Sequence, residues 1–501
     1  MQHSNMTIIL GPPGTGKTTR LTSMVRQAVE AGSPYARLAF LAFNKHSAAE
    51  GKRRVAQDLK VDEDLLTGFR TVHSTCLRLS RISARQILRR SHKQEIASRL
   101  GLKYAGKMAE DGEYEELETG DKVERLEELA RNRKLPLDVV WKELGHDLDW
   151  WELERWQKAY SRFKEERGLY DFTDFLTSFI ADGFTPELDY LFIDEAQDLT
   201  RLQWEAANKL ATRAAKVVVA GDDDQGVNKW AGADVDTFIG LKGEVVELSQ
   251  SYRVPMAVWS VANKVVHRIS NRRPKLYSPR DAEGSYTQHS EIDDVDLGSG
   301  TWLLLARHGY QLEEFREHCL QNGWSWDERA AANKSPKEWK SLQAVQAWMR
   351  LQRGQKVTKE EALMLASFTS RGNATKLRKM EDGYHLTLED LNILYGFSLD
   401  AKLEWFDVLD KIKEREKDFF LRARTKGESL LKKTRILIST IHSAKGLEAD
   451  HVLLLTDVTS TVVAEFDSNP DDEHRVFYVA LTRSREALHV VQPQTSNYYD
   501  I

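Results

Sequence analysis

The residues Gly11-Pro12-Pro13-Gly14-Thr15-Gly16-Lys17-Thr18 fit the spacing G-x-x-x-x-G-K-[ST], with Thr19 next in line. Glycines at those positions let the backbone curl so that its N–H groups point at phosphate oxygens. The helix that follows adds the partial positive charge of its N-terminus. Lys17 can reach the outer phosphates of a nucleoside triphosphate, and the Thr18 hydroxyl can ligate Mg2+. Hydrolysis of such a ligand also needs an acid near the metal and a group that orients water. Leu191-Phe192-Ile193-Asp194-Glu195-Ala196-Gln197-Asp198 offers both, an apolar run delivering Asp194 to the metal and Glu195 to the attacking water. Taken singly, the first segment could be an ordinary turn and the second a chance pair of acids after a strand. Together they favour the nucleotide reading.

Such residues need parallel strands to carry them. Short apolar runs bounded by polar or glycine-containing turns occur at Thr7–Leu10, Leu38–Ala42, Tyr190–Ile193, Val217–Ala220 and Val245–Leu248. A second set follows at Trp302–Ala306, Arg435–Ser439, Val452–Leu455 and Leu488–Val491. Helical periods lie between them, which predicts an α/β chain with two sheets. Two charged, strand-poor stretches, 80–168 and 354–433, are too long for loops and read as helical insertions. The first holds an acidic run, Glu110–Glu118, expected to be a solvated face. Basic clusters at Lys52–Arg54, Arg78–Arg90, Asn271–Lys275 and Arg422–Lys433 are either solvated faces or the lining of a groove for a polyanion.

Composition bounds the rest. The 501 residues carry 72 Lys+Arg against 77 Asp+Glu, 41% hydrophobic and 30% charged, as in a globular chain of several domains. The two cysteines, Cys76 and Cys319, exclude a disulfide framework or a four-cysteine metal site from this chain alone and fit a reducing compartment. No signal peptide or membrane-spanning run is expected.

With these segments in view, the chain resembles the UvrD/Rep-type helicases of superfamily 1. Six further blocks carry the likeness in order: Ala42–Ala49 (AFNKHSAA), Thr71–Ser74 (TVHS), Gly221–Gln225 through Trp230–Ala233, Ser251–Arg253 (SYR), Thr440–Glu448 (TIHSAKGLE) and Val476–Arg483 (VFYVALTR). The resemblance implies two RecA-like P-loop motor domains with parallel sheets, each carrying a mostly helical inserted subdomain. The first motor domain would be 1–79 and 169–250, interrupted by 80–168. The second would be 251–353 and 434–501, interrupted by a short insertion at 354–433. It also implies that Gln225, Arg253 and Arg483 contact the γ-phosphate, that Tyr252 stacks on adenine and that Glu448 contacts the ribose. Trp230 matches a base-stacking tryptophan; among 13 tryptophans most must be structural, and that is its alternative role. Asn44, Lys45, Thr71, His73, Arg307 and His442 become candidate nucleic-acid contacts, with local capping as the plain alternative.

The implied activity is ATP-dependent DNA unwinding, with ATP and Mg2+ as cofactors, 3′→5′ movement on single-stranded DNA and single-strand/duplex junctions as substrate. The helical insertions are candidates for contact with a protein partner, no membrane is involved, and the expected location is the cytoplasm of a bacterium or phage host. The pattern departs from the family in places. No adenine-reading Gln block stands upstream of Gly11, Val72 replaces a ring, and Asn228 and Ala231 flank the tryptophan in place of Tyr and Arg. These departures leave two alternatives open, a translocase or motor subunit that does not unwind alone, and a nucleotide-gated binding switch.

Overall fold

The computed structural model describes residues 5–106, 117–145, 147–329, 335–381, 383–430 and 434–501, and the backbone of 2–4. Most of the acidic run Glu110–Glu118, and Lys432 and Lys433 of the last basic cluster, lie outside the described residues. The chain divides into two compact units. One is Met1–Tyr286 with Val458–Glu486 and Asn497–Ile501; the other is Thr287–Asp457 with Ala487–Ser496.

The first unit is built on strands β1 (Gln2–Leu10), β2 (Leu38–Ala42), β3 (Phe69–Thr71), β4 (Leu188–Asp194), β5 (Ala214–Gly221) and β6 (Lys242–Glu247). They lie in the order β3-β2-β4-β5-β1-β6, and every pairing is parallel. All five residues of β2 are buried, which is why it reads as an unbroken apolar run. Alternate residues feed opposite faces. Ile8, Leu41, Ile193 and Val219 pack with Phe175, Phe179, Trp204 and Leu210 from helices Phe172–Asp182 and Arg201–Ala211. Ile9, Phe40, Phe192 and Val218 pack with Leu21, Val25 and Val55 from helices Lys17–Glu30 and Lys45–Leu59. Helices Arg90–Leu100, Thr119–Arg133, Leu137–Leu144 and Trp150–Arg167 form the first insertion, around a separate core that includes Val123, Leu126, Leu153, Trp156 and Phe163.

The later strands are β7 (Ser285–His289), β8 (Trp302–Ala306), β9 (Trp326–Glu328), β10 (Val357–Thr358), β11 (His385–Leu386), β12 (Ile436–Thr440), β13 (Ala449–Leu454) and β14 (Ser484–Val491). Six of them make the second sheet in the order β7-β14-β13-β8-β12-β9, with β8 parallel to β12 and β13, and β12 parallel to β9. The small antiparallel pair β10–β11 belongs to the second insertion. There the core is continuous: Trp302, Leu304, Trp326 and Ile438 of the sheet share one cluster with Trp348, Leu365, Leu391, Trp405 and Phe419 of the helices. The α/β class expected from the sequence holds, with two six-stranded RecA-like sheets, each carrying a mostly helical insertion. Among the described residues no helix is long and apolar enough to cross a membrane.

Candidate nucleotide and nucleic-acid site

Parallel pairing brings the C-terminal ends of β1, β2, β3, β4 and β5 to one edge of the first sheet, where ligands of open α/β sheets bind. The segment after β1 curls through Gly14 (φ 75) and Gly16 (φ 82) into helix Lys17–Glu30. The Thr15 hydroxyl donates to Pro12 O at 2.8 Å and closes the turn. Lys17 folds back, its Nζ donating to Gly11 O at 2.6 Å. The Thr18 hydroxyl donates to Asp194 Oδ2 at 2.9 Å, so the two expected metal ligands already touch. Burial, with Glu195 beside it, pushes the Asp194 carboxyl up to about 7, against the pull of Thr18 and Lys17. Glu195 sits in the left-handed region (φ 49), rare for a residue with a side chain. Its Oε2 accepts from Gln197 Nε2 at 2.6 Å, and Gln197 Oε1 accepts from the Asp222 N–H at 3.0 Å.

The segment Ser251-Tyr252-Arg253 clasps the loop from outside. Ser251 Oγ donates to Pro13 O at 2.9 Å and Tyr252 N–H to Gly14 O at 2.8 Å. A Cβ on Gly14 would stand 2.5 Å from Arg253 Cβ, so glycine here admits the arginine segment as well as a phosphate. Tyr252 is 74% exposed, an open ring beside the loop. Buried Arg483 donates from Nη2 to Gln225 Oε1 at 2.9 Å, and Gln225 Nε2 donates to Asp222 Oδ2 at 2.6 Å. The structure thus gathers Lys17, Thr18, Asp194, Glu195, Gln225, Arg253 and Arg483 in the first unit. Glu448 lies in the second unit, exposed just before β13.

The nucleic-acid candidates divide in the same way. Asn44 and Thr71 cap helices Lys45–Leu59 and Val72–Leu79 through their side chains, with Ser47 N–H at 2.8 Å and Ser74 N–H at 3.2 Å. Lys45 is exposed. His73 meets Gln203 Nε2 at 3.3 Å, and burial lowers its pKa. Trp230, half-buried in the turn Lys229–Ala231, is covered by Arg125 of the first insertion. The Arg125 guanidinium lies 5.2 Å from the ring centroid, and its Nη2 donates to Trp230 O at 3.1 Å. In the second unit Arg307 and His442 follow the paired strands β8 and β12. Burial, with Arg307 adding to it, lowers the His442 pKa well below the ordinary imidazole value.

One reading from the sequence is corrected. In the cluster Asn271–Lys275 the cations turn inward and line no groove. The Lys275 side chain, 1% exposed, pairs with Asp222, Asp223 and Asp224 at 2.8, 2.5 and 3.0 Å, and Arg272 chelates Asp224 at 2.8 and 2.5 Å. Three adjacent buried acids drew the cations inward, as unpaired buried charge is too costly to leave. One residue was passed over. Phe172 is 57% exposed and stands edge-on to His73 with ring centroids 6.2 Å apart. Its spacing from Phe175 and Phe179 reads as core; its place in the first helical turn is the only signal that it could stay open.

A parallel sheet that presents a glycine loop, a lysine and two acids at its C-terminal edge defines a P-loop nucleotide-binding protein. Residues 1–245 match the UvrD/REP helicase N-terminal domain and residues 318–495 the UvrD-like helicase C-terminal domain, and the chain belongs to the UvrD/Rep family of superfamily 1 helicases. It is similar to the ATP-dependent DNA helicase PcrA of Staphylococcus epidermidis, with 25% identity over 307 residues, covering 57% of this chain and 41% of the relative. For PcrA of Staphylococcus aureus the figures are 26% over 334 residues, 61% and 44%. The chain therefore spans less than half the length of these curated relatives. The solved PRRSV helicase aligns over 98% of this chain and 53% of its own at 12% identity and a TM-score of 0.36, too loose a likeness to bear on the fold.

Proposed function

We propose that the protein is an ATP-dependent DNA helicase that moves 3′→5′ on single-stranded DNA and separates the duplex ahead. The observation that carries this reading is the contact of Thr18 with Asp194 beside Lys17, on the same sheet edge as the Gln225–Arg483 pair. In this reading Lys17 exchanges Gly11 O for the β- and γ-phosphates. Gly11, Pro12, Gly14, Thr15, Gly16 and Thr19 shape the phosphate cradle, Tyr252 stacks on adenine and Glu448 serves the ribose. A buried carboxylate touching a hydroxyl at a helix N-terminus fits Mg2+, and Thr18 and Asp194 would hold it. When bound, the cation offsets charge on the phosphates. Glu195 orients water, while Gln225, Arg253 and Arg483 meet the charge that develops on the phosphoryl group.

Asn44, Lys45, Thr71, His73, Trp230, Arg307 and His442 are the proposed nucleic-acid contacts, with Phe172 as an added stacking ring. The motor-domain boundaries given above are part of the same reading. Unwinding of 3′- and 5′-tailed DNA and RNA duplexes with ATP and Mg2+ tests it: only the 3′-tailed DNA should open, and opening from 5′ tails alone would reverse the polarity. Lys17→Ala should abolish turnover and leave DNA binding largely intact. The covered face of Trp230 favours one second reading, a translocase that does not unwind alone. DNA-stimulated hydrolysis without strand separation would select it.

A further inference from the structure

We propose that Lys275 is a positioning residue for ATP hydrolysis. It sets the orientation of Gln225 and steadies Glu195 through Asp222. The proposal rests on the ATPase reading and extends it to a residue that touches no nucleotide.

Lysine has three protons to give and accepts none, and an ionised carboxylate only accepts. Lys275 donates to Asp222 and Asp223 and makes an ion pair with Asp224 at 3.0 Å. Asp223 also accepts from the Arg273 N–H at 2.7 Å, and Asp224 is chelated by Arg272. Asp222, fully buried, has Lys275 as its one ion-pair partner among the described residues. Against the cost of burial, that ammonium, with Lys17 and the Gln225 amide adding to it, holds the Asp222 carboxyl below the usual carboxylate range.

Because Asp222 is ionised, its second oxygen can only accept, and it accepts the Gln225 amide N–H at 2.6 Å. The Gln225 carbonyl oxygen is thereby turned to Arg483, which donates to it at 2.9 Å. The same residue reaches the other catalytic candidate through its backbone. The Asp222 N–H donates to Gln197 Oε1, and Gln197 Nε2 holds Glu195 Oε2. Without the ammonium, burial drives the Asp222 carboxyl toward its protonated form, with the more distant Lys17 charge left to oppose it. It can then donate to Gln225 Oε1, the amide turns over, and its N–H groups face the Arg483 guanidinium. A donor set against a donor moves both phosphate-facing groups. Misplacement on that scale costs on the order of 10²-fold in rate. The loop around Lys17 has no bond to Lys275, so nucleotide affinity is spared.

The experiment compares the full chain with Lys275→Met and Asp224→Asn in single-turnover ATP hydrolysis, nucleotide binding and chemical unfolding. Lys275→Met is expected to lower kcat by roughly 10- to 100-fold with KM for ATP within about 3-fold. Asp224→Asn takes a partner from Lys275 without touching Gln225 or Gln197, and is expected to stay within about 2-fold of the parent. If Lys275→Met does not fold, Lys275→Met/Asp224→Asn, with less unpaired buried charge, carries the same measurement. A folded variant that hydrolyses ATP at the parental rate overturns the proposal, as does an equal loss in Asp224→Asn or an effect confined to KM. A parent that hydrolyses no ATP overturns the ATPase reading itself, whereas an active parent with unaffected variants overturns this proposal alone.

Discussion

The two helical insertions look alike in sequence and are packed by opposite rules. The first encloses its own apolar core and meets the sheet of its unit through charge. Arg131 and Lys164 converge on Asp171 and Asp174 at the start of helix Phe172–Asp182, with Glu127 and the Tyr160 hydroxyl completing the cluster. Among the described residues the second has no such converging cluster; a single half-buried pair, Arg435 with Glu428 at 2.7 Å, ties its end to the sheet. Its rings Trp405, Phe419 and Phe420 pack with Trp339, which lies ahead of the insertion, and with Trp326 of β9, and the core runs from sheet to helices without a break. A polar seam can part and re-form with water as a partner, whereas a shared apolar core cannot open without exposing both sides. The first insertion is therefore a separate body on a polar joint, and the second is an extension of the motor sheet.

The largest test of that contrast is a pair of core truncations. Trp348→Ala and Trp156→Ala each remove a fully buried ring and should each cost about 3–5 kcal/mol. Hydrogen exchange should tell them apart. In Trp348→Ala the amides of β8 and β12 should lose protection together with the helices. In Trp156→Ala the loss should stop at the first insertion and spare β2 and β4. Loss of β2 and β4 protection in Trp156→Ala would show that the first insertion and its sheet unfold as one body.

The seam itself gives the next effect. Burial, with Asp171 beside it, pushes Glu127 up to about 7 from 4.5, against the pull of Arg131 and Lys164, and so favours a proton kept in the seam. Below pH 4.5 the residue is protonated folded or unfolded, and its contribution is fully present. As the pH rises through about 7 the folded protein must give up a proton that the unfolded chain has already lost, and that stability disappears, up to about 3 kcal/mol. Glu127→Gln should flatten stability against pH between 5 and 8 by about that amount, read from urea midpoints; an unchanged slope would place the retained proton elsewhere. The smallest effect belongs to a charge on the surface of the second insertion. Lys426 lies 3.6 Å from the Trp324 ring centroid at an exposed site, and Lys426→Met should cost no more than about 1 kcal/mol in thermal unfolding.

What the sequence made legible follows from how local each constraint is. The loop at Gly11–Thr18 and the acids at Asp194 and Glu195 are set by a strand, a turn and a helix in immediate succession. Their types, order and strand context could be read directly. The parallel strands were equally open, since central strands such as β2 are apolar throughout. Lys275 was not legible, because its partners stand some 50 residues earlier and a basic run looks the same facing water or facing buried acids. Nor could periodicity show that Arg125 covers Trp230 across 105 residues of chain, or that Phe172 stays open while Phe175 is buried. The difference between the insertions was hidden for the same reason. Both are amphipathic helices, and no helix states in its own sequence which surface will cover its apolar face.

The doorway of the first insertion bears on the order in which the chain folds. The backbone enters and leaves at one point, where the Leu88 N–H donates to Tyr170 O and the Tyr170 N–H to Gln86 O, both at 2.8 Å. Strand β2 must find β4 with Leu38 beside Tyr190, a search across a long loop. Closing a loop costs entropy that grows with the logarithm of its length. Once the insertion has collapsed on its own core and the doorway has paired, that loop is short-circuited and the two strands become near neighbours. The paired doorway thus shortens the loop that β2 and β4 have to close, which lowers the entropy cost of that one step.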